Sequence, residues 1–192
     1  MSTTSRFTSQ DLTGFPDPLD GTRYEIIDGK LIVSKQPHWE HQFTSGIFFS
    51  ALQNWSRQTG LGVANLAPGL ILAEDQDVAP DVVWISRARR AQSLEPDGKL
   101  HAAPELAIEI LSPGSANERR DRELKLKLHS RIGVAEYWIA DWRTRTVQVY
   151  RRAGGDLQLA AILAKDDALA SPLLPGFALP IGDLWEPFGT VE

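Results

Sequence analysis

The chain has 192 residues, 42% of them hydrophobic and 23% charged, with a formal net charge of −5 and no cysteine. That length fits one domain, and the missing cysteines exclude disulfides, thiolate zinc sites and cysteine nucleophiles. No apolar run approaches the about 20 residues a membrane-spanning helix needs, and Met1 to Asp20 has neither the apolar core nor the cleavage site of a signal peptide; a cytoplasmic protein is expected.

Residues 1–22 read as an irregular lead-in with one helical turn, broken by Pro16 and Pro18. Tyr24 to Ile27, Asp28-Gly29 and Leu31 to Val33 then predict a β-hairpin, because a type I′ turn needs positive φ at both central positions. From Pro37 to Gln58 the spacing of Phe43, Ile47, Phe48, Leu52 and Trp55 predicts a helix, which Gly60 stops. Short strands are expected at Val63 to Ala67, Leu70 to Ala73 and Val82 to Ile85, with a turn from Asp75 to Asp77. A short basic helix follows from Arg87 to Ser93. Leu106 to Leu111 reads as a strand and Ser115 to Arg131 as a second long helix, ending at Gly133. Tyr137 to Ala140 and Thr146 to Tyr150 form a second hairpin-like pair, and Leu157 to Leu163 is a further strand before a Pro- and Leu-rich end. Strands with two helices placed to cover them predict an α/β or α+β fold.

Charge is uneven along this pattern. Ser112 to Arg152 carries a net +5 and the remainder −10. A basic segment in an acidic protein suits either a phosphate-facing surface or a solvated helix face.

Two carboxylates occupy apolar surroundings. Asp81 follows Pro80 and precedes Val82 to Ile85; Glu109 sits inside the Leu106 to Leu111 run. Each has a plain alternative, a turn residue for Asp81 and a solvent-facing alternating position for Glu109. Together, on neighbouring strands, they form an oxygen-rich pair suited to a hard divalent cation. Lys125, on the following helix, is within reach of the same point, although Lys125 to Leu128 also reads as an ordinary amphipathic surface. With four histidines and no cysteine, a zinc site is not expected.

The succession Tyr24-Glu25-Ile26-Ile27-Asp28-Gly29, His41-Gln42, Pro80-Asp81, Glu109-Ile110-Leu111-Ser112-Pro113, Arg120-Asp121, Lys125-Leu126, Gly133 to Ile139 and Ser171 to Gly176 resembles the Uma family of endonucleases. That family is a bacterial branch of the PD-(D/E)XK nuclease superfamily, long labelled a domain of unknown function. The resemblance spans about Arg23 to Leu184. It implies a restriction-endonuclease-like domain over 23–185: a central mixed sheet flanked by helices, after the lead-in and before a tail at 186–192. It also implies a metal-dependent endonuclease acting on DNA, with Mg2+ or Mn2+ held by Asp81, Glu109 and the Ile110 carbonyl. By position Asp81 matches the first motif acid and Glu109 the second. The superfamily lysine two residues further on is here Leu111, and the family pattern moves it to Lys125. His129 stands where relatives usually show Tyr.

Glu25 and His41 are accessory candidates, a third acid and a group to orient a water or phosphate oxygen. Arg119, Arg120 and Arg122, with Arg87, Arg89 and Arg90, are candidates to meet a nucleic-acid backbone. Trp39, Trp142 and Trp185 are candidates for a homodimer face. A catalytically silent binding or assembly module on the same fold is the rival reading, prompted by the missing in-strand lysine. The direction in which Lys125 points discriminates between the two.

Overall fold

In a computed structural model, which describes residues 6–15, 22–114 and 118–185, Asp28 (φ 52°) and Gly29 (φ 72°) close the expected hairpin. Its strands are β1 (Arg23–Ile27) and β2 (Lys30–Ser34), preceded by a single turn, α1 (Ser9–Leu12). Helix α2 (Trp39–Thr59) ends where Gly60 takes a left-handed conformation and donates its N–H to the Ser56 carbonyl at 2.8 Å. The chain continues through β3 (Gly62–Leu66), β4 (Leu70–Ala73), β5 (Gln76–Val78), β6 (Val82–Ser86), α3 (Arg87–Ser93) and β7 (Leu106–Ile110). A π-helical segment, Arg120–Lys125, runs straight into α4 (Leu126–Arg131). Strands β8 (Glu136–Asp141), β9 (Thr146–Ala153) and β10 (Asp156–Leu163) follow, then the short β11 (Ala168–Leu169) and β12 (Leu179–Pro180).

Six strands form the central sheet in the order β10-β9-β8-β7-β6-β3. Only its β7–β8 pair is parallel, so the sheet is mixed, as expected. A second, antiparallel sheet has the order β2-β1-β5-β4 and joins the hairpin to β5 through the single pairing of Ile26 with Asp77.

Both faces of the central sheet are covered, which is why β7 and β8 are buried at every position. On one face Leu106, Ile108, Ile110 and Trp138 pack against Phe48, Leu52 and Trp55 of α2 and against Phe177 and Leu184 of the C-terminal segment. On the other, Ala107, Leu111, Tyr137 and Ile139 pack with Val134 and Leu126. The Pro- and Leu-rich end is therefore core material. Trp185, only 7% exposed, belongs to this core and is not available to a dimer face; Trp142 is half-buried against it, and Trp39 is 70% exposed.

Two expectations are corrected, and one plain alternative falls. The turn predicted from Asp75 to Asp77 is largely strand β5, whose three residues are all buried. A polar Gln-Asp pair masked it, because Gln76 donates to Asp28 Oδ1 at 2.7 Å and Asp77 accepts from Lys99 at 3.0 Å. The long helix predicted from Ser115 is π-helical over 120–125; its start at 115–117 lies outside the described residues, as do Pro16, Pro18 and the tail at 186–192. Lys125 is no surface lysine: its side chain is 1% exposed. Among the described residues no helix is long and apolar enough to cross a membrane.

Gly62, at the start of β3, shows how tightly the sheet edge is built. A Cβ there would stand 2.4 Å from the Ile85 carbonyl oxygen and 2.5 Å from the Trp84 ring. Gly62→Ala is expected to destabilise the protein by about 1–3 kcal/mol through forced backbone displacement. Urea denaturation at pH 7 measures it.

Candidate active site

The antiparallel register of β6 with β7 pairs Val82 with Ile108. Continued by one residue, it sets Asp81 opposite Glu109, at the end where the two strands part. Asp81 is fixed there by three donors. Its Oδ2 accepts the Ile110 N–H at 2.9 Å and lies 3.1 Å from His41 Nε2, and its Oδ1 accepts from Arg23 at 3.2 Å. His41 comes from the first turn of α2, and Arg23 opens β1.

Alternation along β7 turns Glu109 to the same face as Ala107 and Leu111, toward the π-helical segment. Lys125 meets it there. Its Nζ donates to Glu109 Oε1 and lies against Glu25 Oε1, each at 3.0 Å, with Asp121 Oδ1 at 4.0 Å. Glu25 also accepts the Ala79 N–H at 3.0 Å. The plain readings of Asp81, Glu109 and Glu25 as turn or surface acids therefore fail, since all three are buried. The structure brings Asp81, Glu109, Lys125, Glu25 and His41 to one narrow cleft of about 50 Å³, with Arg23, Lys35 and Arg120 on its walls.

Asp121 is an addition that sequence reading passed over, although it stands in the quoted Arg120-Asp121 step. The signal was its i, i+4 spacing to Lys125, which places both on one helix face. Its carboxylate pairs with Arg120 at 2.8 Å, and its backbone carbonyl accepts the Tyr137 hydroxyl at 3.0 Å. Arg23 and Lys35 were missed because nothing in the local pattern marks them.

The remaining arginine candidates separate. Arg120 is mostly buried and also donates to Ser34 Oγ at 2.8 Å. Arg122 donates to Asp141 and Gln148, and Arg119 lies exposed beside Glu123.

The cluster is electrostatically uneven. Burial pushes the Asp81 carboxyl up, but the hydrogen bond and charge of His41, with Lys125 and Arg23, hold it well below the ordinary range. Glu25 is lowered as well, burial being outweighed by Lys125 and the Ala79 N–H. Glu109 goes the other way. Burial drives it well above the ordinary range, and the charges of Asp81, Asp121 and Glu25 add to the rise against the pull of Lys125. Lys125 is itself raised: burial opposes its charge, but Glu109, Glu25 and Asp121 overcome that opposition.

A hard divalent cation fits this donor chemistry. Asp81 and Glu109 supply carboxylate oxygens, and burial with three neighbouring acids leaves Glu109 short of positive charge. Among the described residues no cluster of three or more His, Asp or Glu forms a metal cage, so a backbone oxygen or water has to complete any such site.

His129 closes the wall behind Lys125. It is fully buried, its ring lies 4.9 Å from that of Tyr137, and neither ring nitrogen has a hydrogen-bond partner among the described residues. Burial, with Lys125 nearby, lowers its pKa to about 3.

A crystal structure from Anabaena variabilis ATCC 29413, described as "a putative nuclease belonging to DUF820", shares the fold. It aligns with a TM-score of 0.73 at 21% sequence identity, over 93% of this chain and 97% of that one. Among curated proteins nothing matches. The family model "Uma2: Putative restriction endonuclease" matches residues 11–182, and the chain belongs to that family.

Proposed function

We propose that the protein is a divalent-metal-dependent endonuclease that hydrolyses phosphodiester bonds of DNA at this cleft. The observation that carries the reading is the inward position of Lys125, whose Nζ lies 3.0 Å from Glu109, the acid set opposite Asp81. Asp81, Glu109 and the Ile110 carbonyl would hold Mg2+ or Mn2+. When bound, such an ion neutralises charge on the scissile phosphate and lowers the pKa of an attacking water.

The chain's own residues supply positioning. Asp81 stays ionised and is aimed by the Ile110 N–H and His41. Lys125 keeps its proton at neutral pH, so it serves as a hydrogen-bond donor to the incoming water and to a phosphate oxygen, not as a general base. Glu25 fixes the ammonium from the other side. Arg23, Lys35 and Arg120 line the approach with positive charge. A silent binding module would have no use for a buried lysine held between two carboxylates, and that favours the enzyme.

The test is cleavage of supercoiled plasmid and of single-stranded DNA with added Mg2+ or Mn2+. Wild type is expected to nick in a metal-dependent way that chelator abolishes. The Asp81→Asn, Glu109→Gln double variant, prepared identically, is expected to fall below detection. Equal activity in the two proteins would sink the assignment.

A further inference from the structure

A second basic feature lies away from the cleft. An open groove of about 610 Å³ runs between the last turns of α2 and helix α3, beside β3. Arg57, Arg87 and Arg90 line it, with Gln53 and an apolar wall that includes Val63 and Leu94. Asp81 stands just before β6 and Arg87 just after it, about 20 Å away at strand rise. Along α2, His41 and Arg57 are separated by about 24 Å. Groove and cleft therefore occupy opposite ends of the same two elements.

Ion pairing sets these arginines apart. Of the 14 arginines in the chain, nine pair with a carboxylate in the structure. Among the described residues Arg57, Arg87 and Arg90 have no carboxylate partner, and no carboxylate lines the groove. Arg89, between them in sequence, turns out of the groove to Glu105 at 3.3 Å and the Ala103 carbonyl at 3.0 Å. In a chain of net charge −5, three like charges gathered without a counter-ion repel one another, and an external anion relieves that repulsion. Gln53 adds to the donor set: the Ala64 N–H occupies its Oε1 at 3.2 Å, which leaves its amide NH2 for a ligand.

We infer that this groove is a second phosphate-binding surface, gripping the backbone of duplex DNA at a distance from the bond that is cut. The choice of polymer rests on the nuclease reading of the cleft; the groove's charge and its unpaired arginines do not. An open groove with planar donors suits the repeated, accessible phosphates of a backbone, which arginine meets in bidentate fashion.

The experiment measures fluorescence anisotropy of a 20-base-pair duplex with excess chelator, so that cleavage plays no part. It compares wild type with the triple variant Arg57→Gln, Arg87→Gln, Arg90→Gln over a series of salt concentrations. All three arginines are exposed, so an unchanged melting temperature confirms that the triple variant is folded. The expected result is at least a ten-fold weaker Kd at low salt for the triple variant. Its dependence of log K on log salt should be shallower by about 2 to 3, one increment per lost phosphate contact. A triple variant that matches wild type in both respects overturns the inference. So does a wild type that binds no duplex, a result that leaves the cleft to be judged by cleavage alone. A mononucleotide that binds more tightly than the duplex, and is lost in the triple variant, overturns the backbone assignment in favour of a free-nucleotide site.

Discussion

Lys125→Met is expected to cost about 3–5 kcal/mol of stability at pH 7, the range for removing one partner of a buried ion pair. Glu25 and Glu109, each 3.0 Å from the ammonium, would remain buried without a counter-charge. The loss should shrink as the pH falls toward 5, because the stranded carboxyls then take up protons. Lys125→Arg keeps the charge in a larger, forked head and should lose less stability than Met. Urea denaturation at pH 5 and pH 7 checks both points. An ordinary surface lysine would change stability by less than about 0.5 kcal/mol at either pH, and that outcome would contradict the buried placement.

His129→Phe is expected to stabilise the protein, more strongly in acid. The folded-state pKa of about 3 lies below the ordinary value of 6.5. Between those values the unfolded chain binds the extra proton, so His129 makes folding less favourable as pH falls. At pH 5 this linkage amounts to roughly 2 kcal/mol relative to pH 7, at about 1.4 kcal/mol per unit. Phenylalanine removes the titration and also two buried nitrogens that have no partner, worth a further about 1–3 kcal/mol at any pH. Denaturation curves at pH 7 and pH 5 should therefore diverge less for the variant than for wild type. Parallel curves for the two proteins would show that His129 meets water in solution.

Much of this molecule was legible in its sequence, and the exceptions have physical causes. The hairpin announced itself through Asp28-Gly29, and α2 through its apolar spacing and Gly60. Glu109 could be suspected because Ala107 and Leu111 share its face, an apolar setting for a carboxylate. Lys125 was harder. The run from Lys125 to Leu128 has the pattern of a solvated helix, and only a π-helical turn beside three acids makes its burial tolerable. Strand β5 was hidden because its polar side chains are satisfied by partners distant in sequence, Gln76 by Asp28 and Asp77 by Lys99. Arg23 and Lys35 gain meaning only when the hairpin folds over the cleft, a long-range event that no local pattern encodes.

The lone parallel pairing in the central sheet also bears on how the chain assembles. Parallel neighbours need a crossover, and here the crossover between β7 and β8 is the segment that carries Asp121 and Lys125. Non-local pairing of this kind forms only after the intervening loop has closed. Docking of β8 beside β7 therefore coincides with the arrival of the ammonium over Glu109, and the acids lose water as they gain their counter-charge. A nascent chain still lacking Glu136 to Asp141 has its strand acids but nothing to hold the lysine against them. The buried Glu25, Glu109 and Lys125 cluster would thus form only once β8 has docked, and a chain cut short before Glu136 is expected to lack it.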